Sequence, residues 1–178
     1  MIKSKKDYLH YLNEDRKYMY LENMKRPRIF MDHVWRYTRV MRKVEYYVNC
    51  KKGFLSKLIE KFYKFRLYRL SLKTGFSIPH NVFGAGLVLF HHGTIIVNKS
   101  AKIGEKCQLF CCTNIGANVE IGSRAFIAPG VKILDNVKIA DGVKIGANSV
   151  VSRDILEPNV VVVGAPAKKI KDRTDIIY

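Results

Sequence analysis

The sequence predicts a mainly β protein, a parallel β-helix preceded by an α-helical N-terminal region. Three observations carry this. From Val97 to Val151 every sixth residue is aliphatic: Val97, Ile103, Leu109, Ile115, Ile121, Ile127, Ile133, Ile139, Ile145 and Val151. Four residues after each comes a small or β-branched one, from Ala101, Cys107 and Thr113 through Val119, Ala125, Val131, Val137 and Val143 to Ser149. Before residue 76 this period is absent, and a helical pattern takes its place. A helix repeats about every 3.6 residues and a strand about every 2, so a strict six fits neither. It fits a coil in which each repeat is one short strand plus a turn, with the aliphatic residue inside and the small residue at the bend. One repeat cannot bury its own apolar face, so stability comes from stacking.

In chain order, residues 1–75 form a basic helical region. Pro27 interrupts it, which predicts at least two short helices before Cys50. From Phe54 to Leu72 the pattern is amphipathic, with Phe54, Leu55, Leu58, Ile59, Phe62, Phe65 and Leu70 near one side. Gly75 is the expected stop. Residues 76–165 form the coil. Phe83, Leu89 and Ile95 share one six-residue register, and the next begins at Val97, two residues late. The slip falls across His91-His92-Gly93-Thr94, and a break in a regular scaffold is where function tends to sit. Residues 166–178 are read as a basic C-terminal tail.

The formal net charge of +17 is lopsided. Residues 1–75 hold 20 Lys and Arg against 7 Asp and Glu; the remainder hold 12 against 8. This suggests an anionic partner, either a phosphorylated cofactor, a polyanionic substrate or a membrane surface. No nucleic-acid motif accompanies it. The run Arg36, Tyr37, Arg39, Arg42, Lys43, Tyr46 and Tyr47 admits two readings. It is a membrane- or glycan-facing patch, or it is helix-on-coil packing with snorkelling basic tips; the second is preferred. Cys50, Cys107, Cys111 and Cys112 lack metal-site spacing and are read as structural, with no metal expected. Neither a signal peptide nor a membrane-spanning run is recognisable. The expected location is the cytoplasm, where the basic helices would touch the inner face of a membrane if any part does.

His91 and His92 are the candidates for chemistry. Neutral imidazole is the side chain suited to taking a proton from a hydroxyl near pH 7. Gly93 beside them permits unusual backbone geometry. No nearby serine, cysteine or carboxylate is arranged as a nucleophile with its base.

At these residues the sequence resembles the hexapeptide-repeat acyltransferases, in their serine acetyltransferase-like branch. The resemblance runs from about Ile78 to Ile170. It rests on Gly84-Ala85-Gly86-Leu87-Val88-Leu89-Phe90-His91, Ile95-Ile96-Val97-Asn98, Ala101-Lys102-Ile103-Gly104 and the closing Gly164-Ala165-Pro166-Ala167-Lys168. It implies a left-handed coil, acetyl-CoA as donor and homotrimers with active sites between subunits. It also implies His91 as catalytic base, with His92 and Asn98 toward the acceptor. The pantetheine arm would run along Gly116-Ala117, Ala128-Pro129 and Gly146-Ala147, with Lys168 and Lys169 near the phosphates. Simple turn geometry explains the small residues equally well. Oxyanion donors would be N–H groups of the coil wall.

Departures from the branch narrow the acceptor. Phe90 and Phe76 stand where serine acetyltransferases have Asp, and Thr113-Asn114-Ile115-Gly116 runs directly into Ala117-Asn118-Val119-Glu120 without their Gly-rich excursion. The pattern looks more like the O-acetyltransferases of surface-polysaccharide synthesis, which modify sugar hydroxyls. Serine acetylation is the alternative, with Asp32 or another N-terminal acid standing in. A non-catalytic β-helix scaffold is the reading from a different class. A three-histidine zinc site is disfavoured, because His80, His91 and His92 lack its spacing.

Overall fold

The computed structural model describes residues 1–174. Three helices open the chain: α1 (Lys5–Tyr18), α2 (His33–Cys50) and α3 (Phe54–Thr74). Ser4 caps α1 by accepting a hydrogen bond from the Asp7 N–H at 3.0 Å. The segment holding Pro27 separates α1 from α2, as expected of a residue with no N–H to donate. Gly75 ends α3 in the left-handed conformation, with φ +79°.

From Phe76 the chain winds into a parallel coil with three flat walls. The first wall stacks Phe76–Ser77, Ile95–Val97, Thr113–Ile115, Lys132–Ile133 and Val150–Val151. The second stacks Lys102–Ile103, Glu120–Ile121 and Lys138–Ile139. The third stacks Val88–Leu89, Gln108–Leu109, Phe126–Ile127, Lys144–Ile145 and Val160–Val163. Partners in the regular part lie 18 residues apart, such as Gln108 beside Phe126 and Phe126 beside Lys144, so three hexapeptides close one turn. Every aliphatic residue of the repeat is buried, and so is every small residue four positions on. Each buried Ile or Leu contributes roughly 1.5–3 kcal/mol, so the coil is held by many similar increments.

Three expectations are corrected here. Ile95 does not continue the register of Phe83 and Leu89: it pairs with Thr113 and so fills a small-residue bend position, while Val97, opposite Ile115, is the inward residue. The two extra residues lie before Ile95. The terminal segment is not a tail as far as it is described, because Lys168–Asp172 adds antiparallel to Val160–Val163 and closes the third wall. Arg173 is buried beyond it and donates to the carbonyls of Arg124 and Gly142. Leu70 does not share a side with Phe54, Leu55, Leu58, Phe62 and Phe65: those are exposed, whereas Leu70 and Thr74 are buried, with Tyr63 and Leu67 packed behind them.

The basic and aromatic run of α2 docks the helices on the coil, but not through snorkelling tips. Arg42 is wholly buried. Its guanidinium pairs with Asp15 at 2.8 Å and Glu45 at 3.0 Å, and also donates to the carbonyls of Phe83 and Gly84. Asp15 in turn accepts from the N–H groups of Gly86 and Leu87, both at 2.9 Å. Burial alone would lower the Arg42 pKa; the Asp15 and Glu45 carboxylates outweigh it and hold the pKa above the usual arginine value. Tyr37 is buried beside it and donates to the Ile78 carbonyl.

Candidate active site

The break in the repeat is a short loop, Phe90 to Thr94, joining the third wall to the first. Two features pin it. The Gly93 N–H donates to the Thr74 carbonyl at 2.7 Å, and the Ile95 N–H donates to the Gly75 carbonyl at 3.2 Å, so the C-terminus of α3 grips the loop. Gly93 adopts φ +142°, and a Cβ there would lie 2.9 Å from the Cys111 Cβ. A side chain at Gly93 would therefore strain the backbone and push the loop off the next turn.

His91 and His92 are exposed on this loop and line a cleft of about 310 Å³. Opposite them are Asp32, His33, Val34 and Trp35, at the start of α2. The first turn of a helix has N–H groups without intrahelical partners and carries partial positive charge. Of the coil-wall N–H groups on the edge that carries His91, those of Phe110, Ala128 and Gly130 are engaged in bonds to the carbonyls of Ile127, Ile145 and Cys111.

The carboxylate of Asp32 shares the cleft with the histidines and is held by Arg28 at 3.0 Å. The Arg28 hydrogen bond is the chief reason its pKa lies below the usual carboxylate value. His33, absent from the sequence reading, also lines the cleft. Its Nδ1 is buried without a hydrogen-bond partner among the described residues. Its only sequence signal is its place beside Asp32, at the start of a helix. Phe76 lies in the core, edge-on to Tyr37 at 5.1 Å, and so is not a member of the site. Phe90 stacks on Phe110 at 4.5 Å, and Phe110 leans on Phe126 at 5.2 Å, an aromatic ladder beside His91 that the sequence reading also missed.

The ladder register separates the other predicted residues into two groups. Ala128-Pro129 and Gly146-Ala147 follow the third-wall strands Phe126–Ile127 and Lys144–Ile145, on the same edge as His91. Pro129 and Ala147 are exposed there. Lys168 pairs with Val163 at the foot of that edge. Lys169 is taken up by Glu157 at 2.6 Å and Asp172 at 2.8 Å. Asn98 and Gly116-Ala117 instead follow first-wall strands, on the edge toward the second wall. The Asn98 side chain accepts from Ser100, and the Ala117 N–H donates to Asp135. Within one chain these three are not brought to the histidine cleft. Among the described residues no group of three or more His, Cys, Asp or Glu could hold a metal ion.

Residues 124–153 match the family described as bacterial transferase hexapeptide (six repeats). A chloramphenicol acetyltransferase of Klebsiella aerogenes is 48% identical over 61 residues, which is 34% of this chain and 26% of that protein. One of Morganella morganii is 46% identical over the same length and coverage. The chain thus spans about a quarter of these curated relatives. The fold is shared with serine acetyltransferases. That of Neisseria gonorrhoeae superposes with a TM-score of 0.74 at 22% identity, over 97% of this chain and 69% of that one. That of Brucella abortus strain S19, solved in complex with coenzyme A, gives 0.71 at 24% identity, over 95% and 70%. Residues 124–153 thus match the hexapeptide-transferase repeat, and the chain shares its fold with serine acetyltransferases.

Proposed function

We propose that the chain is an acetyl-CoA-dependent O-acetyltransferase whose acceptor is a sugar hydroxyl, in a surface polysaccharide or its precursor. The observation that carries this reading is the pinned loop. It sets His91 above an exposed, side-chain-poor edge, Pro129 and Ala147, and across a cleft from the first turn of α2. That edge suits an extended thioester arm, and Lys168 at its foot suits a phosphate. Bound acetyl-CoA supplies the acetyl group in activated form. His91 withdraws the hydroxyl proton as the acceptor oxygen bonds to the acetyl carbon. The N–H groups of the first turn of α2 offset the negative charge that develops on the carbonyl oxygen. His91 returns the proton to the sulfur as the carbon–sulfur bond breaks, leaving an ester and a free thiol.

The sugar reading is preferred because the chain passes from Thr113–Ile115 to Glu120–Ile121 through a tight turn, with no added segment to grip an amino acid. The Phe90–Phe110 stack also offers an apolar ring face beside His91. Serine as acceptor is the second reading, favoured by the shared fold and by Asp32 in the cleft. The assembly we infer is a cytoplasmic homotrimer, in which Asn98 and Gly116-Ala117 of a neighbouring chain complete the site that His91 and His92 begin.

The test has three readouts. Calorimetry should show coenzyme A binding that weakens with salt. Transfer assays should show turnover on a sugar panel and little on serine or chloramphenicol. Light scattering should give a trimer mass. Absence of coenzyme A binding would leave the scaffold reading; turnover on serine alone would replace the acceptor; a monomer mass would refute the assembly.

A further inference from the structure

We propose that α3 and the loop before α2 form a docking surface for a bilayer containing anionic lipid. The proposal does not depend on the reaction assigned above. Helix α3 has two opposite apolar faces. Tyr63, Leu67, Leu70 and Thr74 recur at helical spacing and pack inward. Phe54, Leu55, Leu58, Phe62, Phe65 and Leu72 lie on the other face and are exposed, Phe62 by 56% and Phe65 by 58%. An exposed apolar stripe running the length of a 21-residue helix, crossed by Arg69, is not left in water without a use.

Three further observations identify the occupant. Lys57, Lys61, Lys64, Arg66, Arg69 and Lys73 accompany the stripe, while Glu60 is the sole acid and is paired to Lys64 at 2.6 Å. That is the composition of a helix lying in the plane of an anionic interface, apolar side down and cations at the headgroups. No helix among the described residues is long and apolar enough to cross a membrane.

The second observation is a neighbouring apolar tip. Ile29, Phe30 and Met31 are exposed, Phe30 by 87%, and Arg26 and Arg28 sit beside them. Arg36 donates to the Ile29 carbonyl and lines one small pocket together with Phe65, Arg66 and Arg69, which joins the loop to the C-terminal half of α3. Met31 also lines the His91 cleft, so the surface runs from α3 to the mouth of that cleft.

The third observation is charge. Pairing α3 with its copy would set two helices of net charge +5 against each other, whereas anionic headgroups neutralise them.

The experiment is co-sedimentation of the full chain with vesicles of phosphatidylcholine, alone or mixed with phosphatidylglycerol. The chain should pellet with the mixed vesicles, much less with phosphatidylcholine, and less as salt rises. Phe62→Ser/Phe65→Ser should cut partitioning by about tenfold or more, with unchanged helical circular dichroism. Lys57→Glu/Lys61→Glu should cut it about thirtyfold or more, since two surface cations are lost and two anions are set against an anionic leaflet. If the phenylalanine pair disturbs folding, the lysine pair and the salt series still decide. Three results would overturn the proposal: the parent stays in the supernatant with both vesicles, both pairs bind like the parent, or the phenylalanine pair lowers the mass in solution. The last would assign the stripe to a second copy.

Discussion

The coil and the helical region are stabilised in different ways. The coil spreads its stability over a row of interchangeable aliphatic residues, each meeting the same residue type one turn above and below. The helical region adds to its apolar contacts one buried guanidinium, which touches α1, α2 and the first turn of the coil at once. A distributed core tolerates trimming and fails only when a charge enters it. A buried ionic network fails when a single partner leaves. The contrast bears on function, because the candidate site lies where the two regions meet.

The largest expected effect is an attack on the distributed region by charge. Ile127→Asp places a carboxylate at a wholly buried position and should cost several kcal/mol, on the order of the whole stability. Thermal unfolding should show no cooperative transition, whereas Ile127→Val should cost only about 0.5–1.5 kcal/mol. Should Ile127→Asp melt like the parent, the coil interior has been misassigned. The ionic network should break next. Arg42→Ala leaves Asp15 and Glu45 buried without their cation, and removing one partner of such a network costs about 3–5 kcal/mol. Denaturant titration should show the helices loosening from the coil. A loss below about 1 kcal/mol would mean the network contributes little to docking.

Gly93→Ala probes the join itself. Its strained φ and contact with Cys111 should cost about 1–3 kcal/mol. Misplacing His91 by even 1 Å should cost ~10²-fold in transfer. A variant with parental turnover would show that the loop need not be pinned. The smallest effect concerns thiols. Burial pushes the Cys107 thiol up to about 12, so below that pH it stays protonated and unreactive in the folded chain. Alkylation at mildly alkaline pH should reach exposed Cys112 first and Cys107 only on unfolding. Early labelling of Cys107 would show that the coil opens locally.

The same contrast decides what the sequence disclosed. The six-residue period is a property of every position in the coil, so the interior could be read residue by residue, and the break at His91-His92 stood out against it. Ile95 is not distinguishable by spacing, because an isoleucine at a bend resembles one on a wall until its partner Thr113 is known. The family resemblance sets Gly116-Ala117 in line with Ala128-Pro129. The two pairs are 12 residues apart, whereas one turn takes 18, so they fall on different edges; Ala128 and Gly146, 18 apart, share one. That arithmetic was available in the sequence. The Arg42 network was not, because it joins residues 15, 42, 45 and 83–87, which no local spacing relates. The fate of the apolar stripe on α3 was equally hidden, since a period of 3.6 marks a face but not what covers it.

The central claim is that the loop pinned between α3 and the coil presents His91 as the base for acyl transfer. The most direct measurement compares steady-state turnover of His91→Ala and His92→Ala, with coenzyme A calorimetry on each. His91→Ala should lose ~10²–10⁴-fold in turnover while binding coenzyme A as the parent does, and His92→Ala should lose far less. Full turnover in His91→Ala, with the loss appearing in His92→Ala, would contradict the account and move the role to its neighbour.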